Sequence, residues 1–203
     1  MTVASAYGAR SAEYTALFGD IEAAHPDDRA LVEQWAAALD GPVLDVGCGP
    51  GQWSARLHAL GVDITGIDLT PEFVRIARAR HPQVDFRLGD VRRLDLPDAH
   101  LAGVLAWFSL IHLPPADAPG ALAEIRRVLR PGGGLVLGFF DGPDLEPFPH
   151  AVTTAWFRSP TRLAADLERA GFRVVRSVQR QDPGARPCAV IVARAVESEE
   201  SLP

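Results

Sequence analysis

The chain has 203 residues, of which 47% are apolar and 23% charged, and this suits one ordinary globular domain. Its formal net charge of −6 disfavours nucleic acid as a partner, because duplex affinity comes largely from basic side chains that neutralise phosphates. No apolar run approaches the ~20 residues of a membrane span, and residues 1–10 lack the apolar centre of a signal peptide, so we expect a cytoplasmic protein without membrane contact.

The N-terminal segment, residues 1–40, is predicted to be helical. Its two tyrosines, Tyr7 and Tyr14, are the only tyrosines of the chain, and their spacing of seven places them on nearly one face of a helix. Residues 27–39 carry apolar side chains at helical spacing, which predicts an amphipathic helix. An aromatic face of this kind either closes over a ligand or packs as an ordinary N-terminal helix.

A glycine-rich turn follows the first predicted strand. The apolar run at 42–46 predicts a buried strand, and it leads into Gly-Cys-Gly-Pro-Gly at 47–51. Glycine at alternate positions lets the backbone turn sharply and approach a ligand without a Cβ in the way. A helix is predicted at 52–60, and its first amides favour polar or anionic groups at the same place. The turn can also be a plain connection, but Asp45 and Asp68 favour a ligand site.

Strands and helices alternate along the rest of the chain. A strand at 63–68 ends on Asp68, 17 residues beyond Gly51, where a ribose diol would meet a carboxylate acceptor. The later elements are predicted as a helix at 71–80, strands at 84–88 and 101–108, a helix at 117–129, a strand at 135–140, a loop at 141–158, a helix at 161–170, and strands at 172–180 and 189–195. This alternation predicts a mainly parallel sheet with helices on both faces. The tail at 197–203 is expected to be frayed.

The glycine spacing distinguishes two families of nucleotide-type cofactor. Dinucleotide enzymes use Gly-x-Gly-x-x-Gly, and here Gln52 stands where the third glycine would be. The turn instead resembles the first motif of class I S-adenosylmethionine-dependent methyltransferases. Four further stretches are similar to that family in the same order: Gly-Ile-Asp-Leu-Thr at 66–70, Gly-Asp-Val at 89–91, the run at 104–113, and Leu-Arg-Pro-Gly-Gly-Gly at 129–134. The resemblance is strong over residues 40–140 and weak elsewhere.

The resemblance implies a Rossmann-like, doubly wound α/β domain with three α/β/α layers, whose seven-stranded sheet is mostly parallel with an antiparallel last strand. It divides the single domain into a helical lid at 1–40, a cofactor-binding core at 41–140 and a substrate-side region at 141–203. It also implies S-adenosyl-L-methionine as the cofactor and S-adenosyl-L-homocysteine as the product. The residues expected at the cofactor are Tyr14, Asp45, Gly47, Cys48, Gly49, Gly51, Asp68, Leu69, Asp90, Val91, Ala106 and Trp107.

The acceptor is expected where the lid and the segment 141–158 cap the sheet. The residues expected on that side are Tyr7, His150 and Trp156. So small a cap suggests a small, partly apolar acceptor that is methylated at oxygen, nitrogen or carbon. His112 is the candidate general base, because it follows a predicted strand end and imidazole titrates near neutrality. It could also hold the loop through a backbone carbonyl.

Residue types that the chain lacks narrow the chemistry. Without lysine, Schiff-base and P-loop enzymes are excluded, and without asparagine the metal-dependent catechol type is disfavoured, so we expect no metal. Cys48 and Cys188 are too far apart in sequence to suggest a metal pair or a disulfide framework. Two other functions stay open, namely a cyclase-like enzyme that keeps the cofactor and a sensor of the cofactor or its demethylated product. The protein is expected to act as a monomer or homodimer.

Overall fold

A computed structural model describes residues 2–197 of the chain. The N-terminal segment forms three helices, α1 (Val3–Ala9), α2 (Ser11–Phe18) and α3 (Pro26–Ala37), with a short 3-10 turn at Ile21–Ala23 between the last two. The hydroxyl of Thr2 accepts the amide hydrogen of Ser5 and so caps α1. The tail at 197–203, expected to be frayed, lies outside the described residues apart from Glu197.

The later elements follow the predicted order. They are β1 (Val43–Val46), α4 (Gln52–Ala59), β2 (Ile64–Asp68), α5 (Pro71–Arg80), β3 (Asp85–Leu88), β4 (Leu101–Trp107), α6 (Ala118–Val128), β5 (Leu129–Phe140), β6 (Pro147–Pro149), β7 (Thr154–Trp156), α7 (Pro160–Arg169), β8 (Phe172–Arg180) and β9 (Cys188–Ala195). One expectation is corrected, because the segment 141–158 is more than a loop and contains the antiparallel hairpin β6–β7. Its first strand begins and ends on proline, which hides it from a strand pattern.

Seven strands form one sheet in the order β3-β2-β1-β4-β5-β9-β8. All neighbours pair in parallel except β9, which runs antiparallel to both β5 and β8. This arrangement confirms the predicted Rossmann-like fold class. The strand order reverses between β1 and β4, and such a switch point leaves a crevice at the carboxyl ends of the strands.

Alternate strand residues build a core on each face of the sheet. Leu44 and Val104 pack with Ile125 of α6 on one face, whereas Val43 packs with Leu57 of α4 on the other. Each such buried aliphatic side chain stabilises the fold by roughly 1.5–3 kcal/mol relative to exposure. The rigid sheet thus fixes where the turns after β1, β2 and β4 lie. Within residues 2–197, no helix combines the length and apolar character that crossing a membrane requires.

Candidate functional site

The glycine-rich turn after β1 is the centre of the site. Gly47, Gly49 and Gly51 have φ angles of +70°, +54° and +89°, in the left-handed region that glycine favours. A Cβ on Gly47 would lie 2.3 Å from the Cβ of Ser109, and one on Gly51 would lie 2.7 Å from a phenylalanine ring of β3. A Cβ on Gly49 would meet only Tyr14, at 3.9 Å. The outer two glycines therefore allow close packing, whereas Gly49 leaves open space above the turn.

Two adjoining cavities, of about 330 and 500 Å³, meet at this turn. The residues that line both are Tyr7, Tyr14, Gly47, Gly49, Trp107 and Phe108. The smaller cavity extends over the ends of β2 and β3, where it is lined by Asp68, Leu69, Asp90 and Val91. The larger cavity extends to the hairpin, where it is lined by His150. Most of the predicted cofactor-side residues and two of the predicted acceptor-side residues thus meet at one crevice.

Asp68 fastens the turn to the end of β2. Its two carboxylate oxygens accept the amide hydrogens of Gly49, at 2.9 Å, and of Thr70, at 2.7 Å. Burial raises the pKa of Asp68, and these amide hydrogen bonds oppose part of that rise. A carboxylate has about four lone-pair sites. Asp68 therefore keeps capacity to accept further hydrogen bonds in the smaller cavity that it lines.

Asp45 and Cys48 are buried groups that line the larger cavity. The hydroxyl of Ser54 donates to Oδ2 of Asp45 at 2.6 Å. Burial raises the pKa of Asp45 to about 7, against the effect of the Ser54 hydrogen bond, and the charge of Asp68 adds to the rise. Burial also raises the pKa of the Cys48 thiol. Asp45 is therefore balanced between its charged and neutral forms near neutrality, and Cys48 stays a neutral thiol.

Tyr7 and Tyr14 cover the junction of the two cavities. The helical conformation is interrupted at Arg10, where α1 ends and α2 begins. The two tyrosines therefore lie on separate short helices rather than on one continuous helix face. Their rings still meet edge to face, with centroids 5.7 Å apart, and both contact Phe73 of α5. Burial raises the pKa of both hydroxyls, that of Tyr14 to about 12. Both side chains are therefore neutral phenols over the cavities.

His112 is held by one hydrogen bond on each ring nitrogen. Its Nδ1 lies 2.8 Å from the carbonyl oxygen of Thr154, and its Nε2 lies 2.8 Å from the hydroxyl of Tyr7. Because a carbonyl can only accept, Nδ1 carries the proton, and Nε2 accepts from Tyr7. Burial lowers the pKa of His112, although the Thr154 contact opposes this. The ring is therefore neutral, with its basic nitrogen directed at the tyrosine hydroxyl.

His150 lies on the hairpin side of the larger cavity. Its ring centroid is 5.2 Å from that of His112 and 5.9 Å from that of Phe140. Burial lowers the pKa of His150 to about 4, helped by the positive charges of Arg186 and Arg10. Its Nδ1 is buried and has no hydrogen-bond partner among the residues that the structure describes. A neutral imidazole with an unused nitrogen therefore lines this cavity.

Three predicted site residues line neither cavity. Ala106 is fully buried, because strand alternation turns its side chain into the core beneath α6. Gly51 is covered by packing within the protein. Trp156 lines a separate recess of about 30 Å³, and its amide donates to the carbonyl of Ile111. No group of three possible metal ligands comes together in residues 2–197.

Sequence reasoning missed several residues of the crevice. Phe108 lines both cavities with a φ of +52°, a strained backbone conformation that no sequence pattern indicates. Ser109 Oγ and Gln52 Oε1 are buried without hydrogen-bond partners in the described part of the chain. Arg92 forms a forked ion pair with Asp90 and lowers the pKa of that carboxyl. Phe108 and Ser109 lie within the run at 104–113, whereas Gln52 and Arg92 directly follow the stretches at 47–51 and 89–91, and these positions are their only sequence signal.

Sequence comparisons define the family. Residues 43–133 match the family described as methyltransferase domain. The chain is 30% identical over 168 residues to O-methyltransferase rstn1 of Aspergillus nomiae. The alignment covers 76% of this chain and 74% of that protein. It is 34% identical over 148 residues to O-methyltransferase cnsE of Penicillium expansum, which covers 66% of this chain and 52% of that protein. The chain therefore belongs to the methyltransferase-domain family. It spans about half the length of several curated relatives that it matches.

Solved structures share the fold. The 1,6-didemethyltoxoflavin-N1-methyltransferase of Burkholderia thailandensis, with bound 1,6-didemethyltoxoflavin and S-adenosylhomocysteine, has a TM-score of 0.76 at 24% identity, covering 96% of this chain and 89% of that chain. The cyclase SpnF has a TM-score of 0.81 at 21% identity, covering 97% of this chain and 96% of that chain. At these identities the likeness shows the fold alone.

Proposed function

We propose that this protein transfers a methyl group from S-adenosylmethionine to a small-molecule acceptor. The observation that carries the proposal is the junction of two cavities at Gly49, under Tyr7 and Tyr14, with Asp68 in one compartment and His150 in the other. The smaller cavity suits the cofactor and the larger cavity suits an acceptor, so that the methyl group would be transferred where the two cavities meet. The O-methyltransferases among the relatives support the same reaction, and an oxygen atom as the acceptor.

The residues of the smaller cavity fit the cofactor. Gly49 leaves space that a Cβ would fill, and Asp68 retains acceptor sites for sugar hydroxyls. Within residues 2–197, the buried oxygens of Ser109 and Gln52 have no hydrogen-bond partner and can bind the cofactor's polar groups. Ser109 and Asp90 line the smaller cavity, and Gln52 lines the larger one next to it. When bound, this cofactor supplies a methyl group that is already activated as a sulfonium electrophile. The chain's task is to hold and align the two reactants, and orientation alone can account for much of the rate.

An acceptor hydroxyl must lose its proton, and the chain provides a route for it. His112 lines only the smaller cavity, whereas Tyr7 lines both. The acceptor proton can pass to the Tyr7 oxygen while the Tyr7 proton moves to Nε2 of His112. The carbonyl of Thr154 then stabilises the charged ring through Nδ1–H. We therefore propose His112 as the general base, acting through Tyr7.

The proposal makes a prediction for the glycine turn. Gly49→Val should abolish binding of S-adenosylhomocysteine, measured by calorimetry, because the side chain would enter the open space above the turn. Gly61→Val is the matched control, since Gly61 also has a positive φ, +87°, with nothing within 4 Å of a Cβ, and it lines neither cavity. Both variants carry similar backbone strain, but only the first should lose the cofactor. Wild-type binding of NAD, or equal losses in the two variants, would contradict the assignment.

Turnover separates methyl transfer from the alternatives. Formation of S-adenosylhomocysteine together with a methylated acceptor distinguishes it from a cyclase-like enzyme or a sensor, which would leave the cofactor intact. On composition and charge, we further propose a cytoplasmic protein, monomeric or homodimeric, without nucleic acid or membrane partners. The absence of asparagine from the sequence supports a reaction without a metal.

A further inference from the structure

Arg186, in the segment between β8 and β9, lines the larger cavity. Its guanidinium carbon lies 4.8 Å from the ring centroid of Phe148, and one N–H donates to the carbonyl of Pro149 at 3.2 Å. Phe148 is buried and stacks on Phe157, with centroids 4.1 Å apart. Cation–π attraction and the carbonyl contact therefore hold this guanidinium against a fixed aromatic pair of the hairpin.

The carboxylates that line the same cavity are engaged elsewhere. The paired ones are Glu13 with Arg10, Asp20 with Arg80, and Asp28 and Asp182 with Arg180. Asp45 is buried and bonded to Ser54. Within residues 2–197, Arg186 has no carboxylate oxygen within 4.0 Å, so its charge is the uncompensated arginine charge of this wall.

The environment beside Arg186 is aromatic. Phe140 lies 5.0 Å from Phe108 and 5.9 Å from His150, measured between ring centroids. The positive charges of Arg186 and Arg10 both act on His150, and of these two only Arg10 is paired with a carboxylate, that of Glu13. His150 also keeps its unused Nδ1 at this wall. A flat, negatively charged molecule would meet complementary groups on each of these sides.

We propose that the acceptor is an aromatic carboxylate whose anionic group pairs with Arg186 and whose ring lies among Phe108, Phe140 and His150. A guanidinium offers parallel N–H groups that match a carboxylate, and such a pair is shorter and stronger than a neutral hydrogen bond. Aromatic rings add edge and face contacts to a planar ligand. The inference rests on the methyl-transfer function proposed above, and it adds the chemical class of the acceptor.

Two probes of the same shape test the charge. The isosteric pair of 2-naphthoate and 2-naphthamide is titrated into protein saturated with S-adenosylhomocysteine. We expect the naphthoate to bind about 10-fold more tightly, since a charged hydrogen bond adds about this much affinity. Arg186→Gln should remove the preference while leaving naphthamide affinity unchanged. Arg75→Gln, an exposed arginine of α5 that lines neither cavity, should keep it.

The outcomes separate the acceptor class from the reaction. The affinity of Arg186→Gln for S-adenosylhomocysteine should equal that of the wild type, because Arg186 does not line the smaller cavity. If the wild type binds no S-adenosylhomocysteine, the proposed methyl transfer is refuted. Titration of the two probes into protein without S-adenosylhomocysteine then still tests whether the larger cavity prefers the carboxylate. Equal affinity for the two probes, no binding of either, or a preference that survives Arg186→Gln overturns the proposal.

Discussion

Tyr7 is the residue that joins the two halves of the site. Its hydroxyl donates a hydrogen bond to Nε2 of His112. Tyr7 also lines the larger cavity, which His112 does not line. A base placed behind a phenol can act on the acceptor only through that phenol. The carbonyl of Thr154 fixes the histidine tautomer that this route needs. The two side chains should therefore behave as one catalytic unit.

Loss of either side chain should cost similar activity. We expect His112→Ala and Tyr7→Phe each to lower kcat by ~10²-fold, the usual scale for a general base, and the double variant to lower it little further. Because burial lowers the pKa of His112, wild-type kcat should rise with pH only below the ordinary histidine range and stay flat above it. Tyr14→Phe is the control, since its hydroxyl lies outside this pair. If His112→Ala retains most of its kcat between about pH 6 and 9, His112 serves only to hold the hairpin.

The elements of the sheet were predictable because each has a local signal. β1, β4 and β5 contain apolar runs, β3 alternates charged and apolar residues, and Pro71 marks the start of α5. The hairpin had no such signal, since Pro147 and Pro149 lack amide donors and its strands have three residues each. The meeting of Thr154 with His112 arises from tertiary packing across 42 residues. The order of strands and helices could thus be predicted, as could the turns that line the smaller cavity, whereas the contact between the N-terminal helices and the hairpin could not.

The helix after the hairpin offers a test of stability at the level of one element. The hydroxyl of Ser159 accepts the amide hydrogen of Arg162 and caps α7, and it also donates to Asp144. Ser159→Ala should lower the free energy of unfolding by about 1 kcal/mol, the usual cost of losing an N-cap. Urea unfolding measures the loss, with Thr161→Ala as the control in the same turn. A change below about 0.3 kcal/mol would mean that the proline after Ser159 suffices to start α7.

Across the whole molecule, the buried Asp45 and the half-buried His150 give the free energy of unfolding opposite dependences on pH. Asp45 has a pKa of about 7 in the folded protein, above its ordinary value of 3.8. Its contribution to the free energy of unfolding is therefore complete below about pH 4 and is lost as pH rises toward 7. His150 has a folded pKa of about 4, below its ordinary 6.5, so the unfolded chain binds more protons between these values and stability rises with pH. The two slopes oppose each other between about pH 4 and 6.5. Of these two contributions, only the loss from Asp45 continues above that window, until pH reaches about 7.

Asp45→Asn isolates one of these slopes. The asparagine keeps an oxygen that can accept from Ser54 but cannot ionise, so the variant should gain stability relative to the wild type as pH rises from about 5 to 8. A tenfold change in a proton-binding constant on folding corresponds to about 1.4 kcal/mol, so a relative gain of more than about 1 kcal/mol is expected. Urea unfolding at several pH values measures it, and Asp63→Asn, at an exposed position before β2, should show no such trend. A constant difference between wild type and Asp45→Asn over this range would mean that Asp45 is already charged in the folded protein, and the larger cavity would then contain a fixed negative charge beside the glycine turn.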